Sequence, residues 1–387
     1  MKLQGTAAWR RRRICVFTAL VCALSGFALQ WLIVHGLYGG NWTALFCTGS
    51  AFPVPAALAG ENVFVFRGSP GYDGQMYHYV AHDPLLRTEI WRHLDEARHR
   101  YRRILLPAVA FLLAGGRQGW IDWAYLGANL LFLYAGAWWL SRYLDLLGLD
   151  PRWALLFVLT PAALISLERL TVDLAFTALC VGFALYMRLG RDVAAFALLV
   201  LACLCRETGF VLAGAACVAS LASRRVAKAV VWAAGAAPAA LWHFYVSLRV
   251  PESEEIKLSR LVPFRGMLQA LREPVAYPFG DAVNVALGLL DRACVLALLA
   301  AFLGSLWLLR RNGLNWMRAA VFAWGLLAVC LTPGFYRDLY AAGRVFTPML
   351  TYLVLDGYGL ARGRAAIPLL VMMPRYAVQV VGALLFT

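Results

Sequence analysis

A tyrosine and an aspartate at a glycine-flanked turn are the first residues of this chain whose types and spacing suit chemistry. The run Gly71-Tyr72-Asp73-Gly74-Gln75 carries a turn signature that sets Asp73 just before a short helix over about residues 75–81. A carboxylate in that place either caps the helix by accepting backbone N–H bonds or serves as a general base or ligand contact, and the two roles are compatible. His78 and His82 stand four apart on one helical face, the spacing of a metal-binding pair, but the sequence offers no third ligand beside them. Asp83-Pro84 has the cap-then-proline order that opens a helix. That helix is expected to carry Leu86, Ile90, Trp91, Leu94 and Tyr101 near one face, with Arg87, Arg92, Arg98, Arg102 and Arg103 around them. It reads as an interfacial helix whose arginines hold lipid phosphates.

A second set of charges stands at the ends of apolar runs: Glu168, Arg169 and Asp173, then Arg206-Glu207, then Arg344 after Arg337 and Asp338. Ionisable groups at such depth cost a few kcal/mol each, so they pair locally or serve a site. Placed on one side of a membrane, Asp73, Glu168, Asp173, Arg206 and Arg344 are most economically explained by a cavity opening there. The planar donors of Arg344 match phosphate oxygens. Lys257, Arg260, Arg265 and Arg272 sit among apolar residues in a segment over 247–292 that reads as a mobile amphipathic lid, with Lys257 and Arg260 assigned to lipid phosphates. Arg375, in the middle of the last apolar run, has no explanation at this level.

The elements that must position these residues follow from composition. Of 387 residues, 62% are hydrophobic and 15% charged, too little polar material to cover a water-soluble globule, so the implied solvent is a membrane. Backbone groups in lipid must be satisfied within the segment, and alternating barrel strands are absent, which leaves α-helical spans. The expected architecture is an all-α polytopic bundle of about eleven spans near 14–36, 121–141, 153–167, 173–189, 193–205, 208–222, 229–246, 293–309, 319–332, 344–361 and 365–386. The whole chain forms a single transmembrane domain, with long outer segments over 37–120 and 247–292. The run over 105–115 is too short to cross and is assigned to the interface. Every short arginine cluster then lies on the cytoplasmic side, as the positive-inside bias requires. The N-terminus is cytoplasmic in this scheme, and the first apolar run is a retained span rather than a signal peptide. A net charge of +15 therefore reports topology and membrane lipids, not nucleic acid. Nine cysteines show no disulfide or metal spacing.

The segments Tyr72-Asp73-Gly74-Gln75, Asp83-Pro84, Tyr101-Arg102-Arg103-Ile104-Leu105-Leu106-Pro107 and Arg206-Glu207-Thr208-Gly209 resemble bacterial multispanning proteins of cell-surface glycopolymer formation, members of the GT-C glycosyltransferase superfamily. The resemblance covers roughly 60–215, with Gly343-Arg344 to Pro348 beyond it. It implies a GT-C-like bundle with juxtamembrane helices in its first outer loop, and transfer of a sugar from a polyprenyl-phosphate carrier to a glycan or glycolipid acceptor on the outer face of a bacterial inner membrane. Asp73 would be the catalytic base, Arg344 or Arg206 would stabilise the phosphate leaving group, and Glu168 and Asp173 would contact sugar. Tyr72, Gln75 and Glu207 complete the substrate-binding set the resemblance implies. No tandem D-x-D signature is present, which favours a reaction without metal or other cofactor and leaves a divalent metal open. The competing expectations are a flippase or exporter of lipid-linked saccharide and a polymerase or ligase.

Overall fold

The computed structural model describes residues 2–251, 262–273, 275–277, 280–360 and 362–385. The described chain is nearly all helix. In order it forms α1 (Lys2–Leu37), α2 (Asp73–His82), α3 (Ala97–Arg102), α4 (Leu105–Leu113), α5 (Ile121–Leu146), α6 (Pro161–Arg169), α7 (Asp173–Arg188), α8 (Asp192–Cys205) and α9 (Gly209–Ala222). There follow α10 (Val226–Ala234), α11 (Ala237–Arg249), α12 (Arg265–Arg272), α13 (Asp281–Asn312), α14 (Trp316–Cys330), α15 (Pro333–Arg337), α16 (Leu339–Gly359) and α17 (Ile367–Leu385). Short 3-10 turns connect them, and one two-residue parallel ladder, β1 (Thr48–Gly49) with β2 (Val65–Phe66), ties the first long connection together.

The expected spans fall on helical segments, but 153–167 divides into a 3-10 stretch (Pro151–Leu159) and α6, and 229–246 divides between α10 and α11. Among the described residues three helical stretches, Trp9–Leu37, Val226–Arg249 and Asp281–Asn312, are long and apolar enough to cross a membrane, and the bent pair Pro151–Leu159 and Pro161–Arg169 makes a fourth if counted as one span. These mark the chain as a membrane protein. Large apolar side chains on their outer faces, such as Phe17, Leu241, Leu248 and Leu303, are exposed, as lipid-facing positions would be.

At the centre runs α7, buried along its first thirteen residues and packed by α5, α6, α8 and α16. The break between α6 and α7 is made by Leu170, which adopts a left-handed conformation with φ 44°. Helix ends leave backbone groups without partners, and here side chains supply them. Gln30 of α1 donates to the carbonyl of Leu167 (3.1 Å), Tyr125 of α5 donates to that of Leu170 (3.2 Å), and Ser166 Oγ accepts from the N–H of Leu174 (3.1 Å).

Two expectations about the first outer segment change. The helix after Asp83 does not form: Asp83 accepts from the N–H groups of Arg87 and Thr88, both at 2.8 Å, and Leu86 takes a positive φ of 56°, which ends helical propagation. A 3-10 turn at Ile90–His93 and the short α3 take its place. Leu86, Ile90, Leu94 and Tyr101 are buried against Val246 and Val250 of the α11 end, so they face protein rather than a membrane surface. Arg98 donates to the carbonyls of Ser247 and Val250, which binds this segment to the C-terminus of α11. By contrast α4 is a separate nine-residue helix, roughly 14 Å at 1.5 Å per residue, half of a hydrocarbon core. It packs on α2 and α5 and leaves Leu112 and Leu113 exposed.

The expected lid over 247–292 contains α12, which docks on α13, α14 and α15. Lys257 and Arg260 lie outside the described residues.

Candidate functional site

Asp73 is the first residue of α2, with Tyr72 in extended conformation as its N-cap. Two glycines make this start possible. Gly71 has a φ of +78°, which an L side chain resists, and a Cβ on Gly74 would collide with the carbonyl oxygen of Arg169. The α2 start is therefore pressed against the C-terminus of α6. Asp73 does not cap its own helix: its Oδ1 is ion-paired with Arg100 Nη1 of α3 at 2.8 Å and its Oδ2 accepts from Nη2 of Arg344 of α16.

From Asp73 the charges alternate outward in both directions. Arg344 Nη1 donates to Asp173 Oδ2 at 2.9 Å, and Asp173 Oδ1 accepts from Arg206. Arg206 Nε lies 3.9 Å from Glu207 Oε1, and Glu207 takes two bonds from Arg103, at 2.8 and 2.5 Å. On the other side, Arg100 makes a two-pronged contact with Asp95 at 2.8 and 2.7 Å. Four of these groups stand at helix ends of favourable sign: Asp73 and Asp173 at the N-termini of α2 and α7, Arg206 at the C-cap of α8 and Arg103 at that of α3. Arg344 is different, lying one turn inside α16 with its guanidinium reaching two carboxylates. Its own helix start is held by Asp338, which accepts from Tyr340 N and Ala341 N.

The centre of the network is buried, while Asp95 at one end is exposed and Glu207 at the other partly so. Asp173 is 1% exposed, Arg206 4% and Arg344 5%. Burial alone would push the Asp73 carboxyl up, but Arg344, Arg100 and Arg103 overcome it and hold the group well below the usual carboxylate range. His99 of α3 accepts from Arg103 at Nε2 (2.6 Å), and that positive neighbour together with burial pushes its imidazole down to about 3. The Nε atoms of Arg206 and Arg344 are buried without a hydrogen-bond partner among the described residues.

The aromatic wall is Tyr72. The guanidinium carbons of Arg169 and Arg344 lie 4.7 and 5.1 Å from its ring centroid, and Arg169 is also 4.7 Å from that of Tyr340. The Tyr72 hydroxyl donates to Asp338 at 3.3 Å.

Of the residues singled out from sequence, Asp73, Asp173, Arg206, Glu207 and Arg344 come together, with Tyr72 over them. Glu168 stays outside the chain of charges and pairs with Arg169 at 3.5 Å. Gln75 is fully buried and holds the fold, accepting from Gly49 N and donating to Tyr79. Arg103, expected at lipid phosphates, is 4% exposed and engaged by Glu207 and Tyr77, because the end of α3 tucks beneath α2 rather than lying on the membrane surface. Arg102 is half-buried at the same end. Arg100, Asp95 and His99 were not foreseen, since each joins the site only through the breakdown of the expected interfacial helix; Arg169 and Asp338 were noted as charges at the ends of apolar runs, without their contact to Tyr72. Arg375 finds its explanation in Asp291: its Nε donates to Oδ1 at 2.6 Å across α13 and α17, and Tyr277 donates to Oδ2 at 2.7 Å.

Comparison of the chain with protein-family models, curated proteins and solved structures gives no match.

Proposed function

We propose that this chain is a membrane glycosyltransferase that moves a sugar from a polyprenyl-phosphate carrier to a cell-envelope acceptor on the extracytoplasmic face, working through about eleven spans of a GT-C-like bundle. The observation that carries the reading is the single guanidinium of Arg344, shared between Asp73 and Asp173 at the end of the buried α7. An arginine in that position offers donors to a phosphate where negative charge grows in the transition state.

The low proton affinity of Asp73 defines how such a reaction would run. With Arg100 and Arg344 both on the carboxylate, Asp73 is a poor base. A donor phosphate that takes over Arg344 removes one of those partners, and the proton affinity of Asp73 rises at the moment an acceptor hydroxyl arrives. The acceptor oxygen then forms its bond to the anomeric carbon, its proton passes to Asp73, and the bond from carbon to phosphate oxygen breaks with the electron pair leaving on the polyprenyl phosphate. Attack opposite the leaving group inverts the anomeric centre. An apolar groove of about 310 Å³, lined by Leu144, Trp153, Leu156, Val354 and Leu369, runs between α5, α16 and α17 and would suit an isoprenoid tail.

The test is the glycopolymer composition of cells carrying Asp73→Asn, compared with wild type and a deletion, with the membrane abundance of each checked. An abundant Asp73→Asn protein that reproduces the deletion's missing sugar supports the reading, whereas an unchanged polymer overturns it.

A further inference from the structure

Outside the arginine network, four side chains from three chain segments converge on one point. Glu61 lies in the turn before β2, His78 and His82 are one turn apart on α2, and Asp122 is in the first turn of α5. One ligand atom from each lies within 4.8 Å of all the others. His82 Nε2 is 3.7 Å from Glu61 Oε2 and 3.9 Å from Asp122 Oδ1, while His78 Nε2 is 3.8 Å from Glu61 Oε2 and 2.6 Å from Asp122 Oδ1.

We propose that Glu61, His78, His82 and Asp122 form a binding site for a divalent cation of the zinc class, which pins the first outer segment and α2 to the start of α5. The inference is independent of the glycosyl-transfer reading.

Three observations point to a ligand. First, the side chain of His82 is fully buried and its Nε2 has no hydrogen-bond partner among the described residues, and both oxygens of Glu61 are likewise buried without one there. A carboxylate can only accept, so leaving it dry and unmatched is costly. Direct ion pairing with the histidines would draw an imidazolium N–H to hydrogen-bond distance, yet both stand 3.7–3.8 Å from Glu61. Second, His82 is held from behind, while His78 Nε2 is hydrogen-bonded to Asp122 Oδ1 at 2.6 Å, a contact that a cation between them would replace. His82 Nδ1 meets the amide oxygen of Gln118 at 2.5 Å, and Gln118 Nε2 returns to the carbonyl of His82 at 3.3 Å. With Nδ1 as the donor, the Nε2 lone pair faces the carboxylates, the arrangement by which an outer partner orients a metal-ligating histidine. The ring of Phe46 stacks on His78 at 3.9 Å and 8°, which fixes that imidazole. Third, the dimensions fit: ligand bonds of about 2.0–2.2 Å in a tetrahedron put donor atoms about 3.3 Å apart, between the 2.6 Å and 3.7–3.9 Å separations present. Two imidazoles with two carboxylates suit zinc over magnesium or calcium, which take oxygen ligands.

The site lies on the helix that begins with Asp73. His78 is five residues further on, roughly 7–8 Å along the axis, so a cation there would fix the height and rotation of α2.

The experiment uses the full chain purified in detergent with a tag free of histidine, stripped with chelator, and titrated separately with Zn²⁺, Mg²⁺ and Ca²⁺ by calorimetry. Metal content and unfolding temperature are read alongside. The expected result is about one equivalent of zinc per chain, a rise in unfolding temperature on zinc addition that chelator reverses, and no such response to magnesium or calcium. Glu61→Gln and His82→Gln should each abolish stoichiometric binding. Gln118→Leu leaves all four ligands in place and should weaken binding by about 10- to 100-fold. Because the wild-type response to zinc and chelator needs no variant, misfolding of a substituted chain does not protect the proposal. Absence of stoichiometric zinc binding by the stripped wild-type protein overturns it, as does zinc binding unchanged in both ligand variants.

Discussion

Arg344 Nη1 bonds Asp173 Oδ2 at 2.9 Å although 171 positions separate them, and the same guanidinium bonds Asp73. One side chain therefore joins the start of the central helix α7 to the start of α2 in the outer segment. Replacing Arg344 by leucine takes one of two arginine partners from each of Asp73 and Asp173, and the loss stays below the about 3–5 kcal/mol that fully unpairing a buried charge costs. Thermal unfolding in detergent should show that loss for Arg344→Leu and a smaller one for Arg344→Lys, which keeps the charge but not the two-armed reach. An unfolding temperature equal to wild type in Arg344→Leu would contradict the network.

Stability should fall on the acid side through His99. Unfolded, this imidazole takes up a proton as the pH drops through about 6.5, whereas folded it does so only near about 3. Between those values the unfolded state binds more protons, so stability decreases as pH falls across the window, with a slope of at most about 1.4 kcal/mol per pH unit. His99→Gln keeps an acceptor for Arg103 and removes the titration. Its stability between pH 5 and 6.5 should vary less than that of wild type, and equal slopes would show that His99 is not the group responsible.

Gly74→Ala tests close approach without touching a charge. The added Cβ meets the backbone oxygen of Arg169, so α2 must move from α6 and carry Asp73 away from Arg344. The expected outcome is a protein that inserts but unfolds at lower temperature and fails in the same glycopolymer assay as Asp73→Asn. Wild-type behaviour in both would mean that α2 has more room than its geometry shows.

Tyr72 separates two contributions. Phenylalanine at this position keeps the ring beside Arg169 and Arg344 and loses only the 3.3 Å bond to Asp338, a change expected to cost under about 1.5 kcal/mol. Leucine removes both and should cost more, by about 0.5–2 kcal/mol for each desolvated cation–ring contact. Equal unfolding temperatures for the two variants would assign no weight to the ring.

Asp291 and Arg375 offer a double-variant test. Arg375→Met alone leaves Asp291 buried and should destabilise strongly, while Arg375→Met with Asp291→Leu should recover most of the loss, since apolar replacement of a buried pair is often neutral. A double variant as unstable as the single one would show that Tyr277 and the surrounding packing, rather than the ion pair, set the cost.

The helices were legible in the sequence because apolar runs of near-span length leave few alternatives; Asp173, Arg206 and Arg344 were legible because charge at the ends of such runs needs a reason, and Asp73 because it stands at a glycine-flanked turn. Their pairing was not. Which carboxylate meets which arginine depends on helix rotation and on contacts such as Gly74 against Arg169, and no local pattern encodes these. The segment after Asp83 misled for a physical reason: cap, proline and apolar spacing all favour a helix, but Thr88 and the backbone compete for the Asp83 oxygens and Leu86 turns left-handed. His78 and His82 looked like an incomplete pair because Glu61 and Asp122 stand 17 and 44 positions from His78.

The 271 positions between Asp73 and Arg344 give synthesis an order. Asp173 and Arg206 can meet as soon as α7 and α8 have been made, but the second partner of Asp73 is delivered only with α16, which starts at Leu339. A nascent or truncated chain ending before that helix carries an outer segment whose aspartate has Arg100 alone. Fastening of the outer segment thus reports that α16 has been made, and the early part of the chain is locked only by a late one.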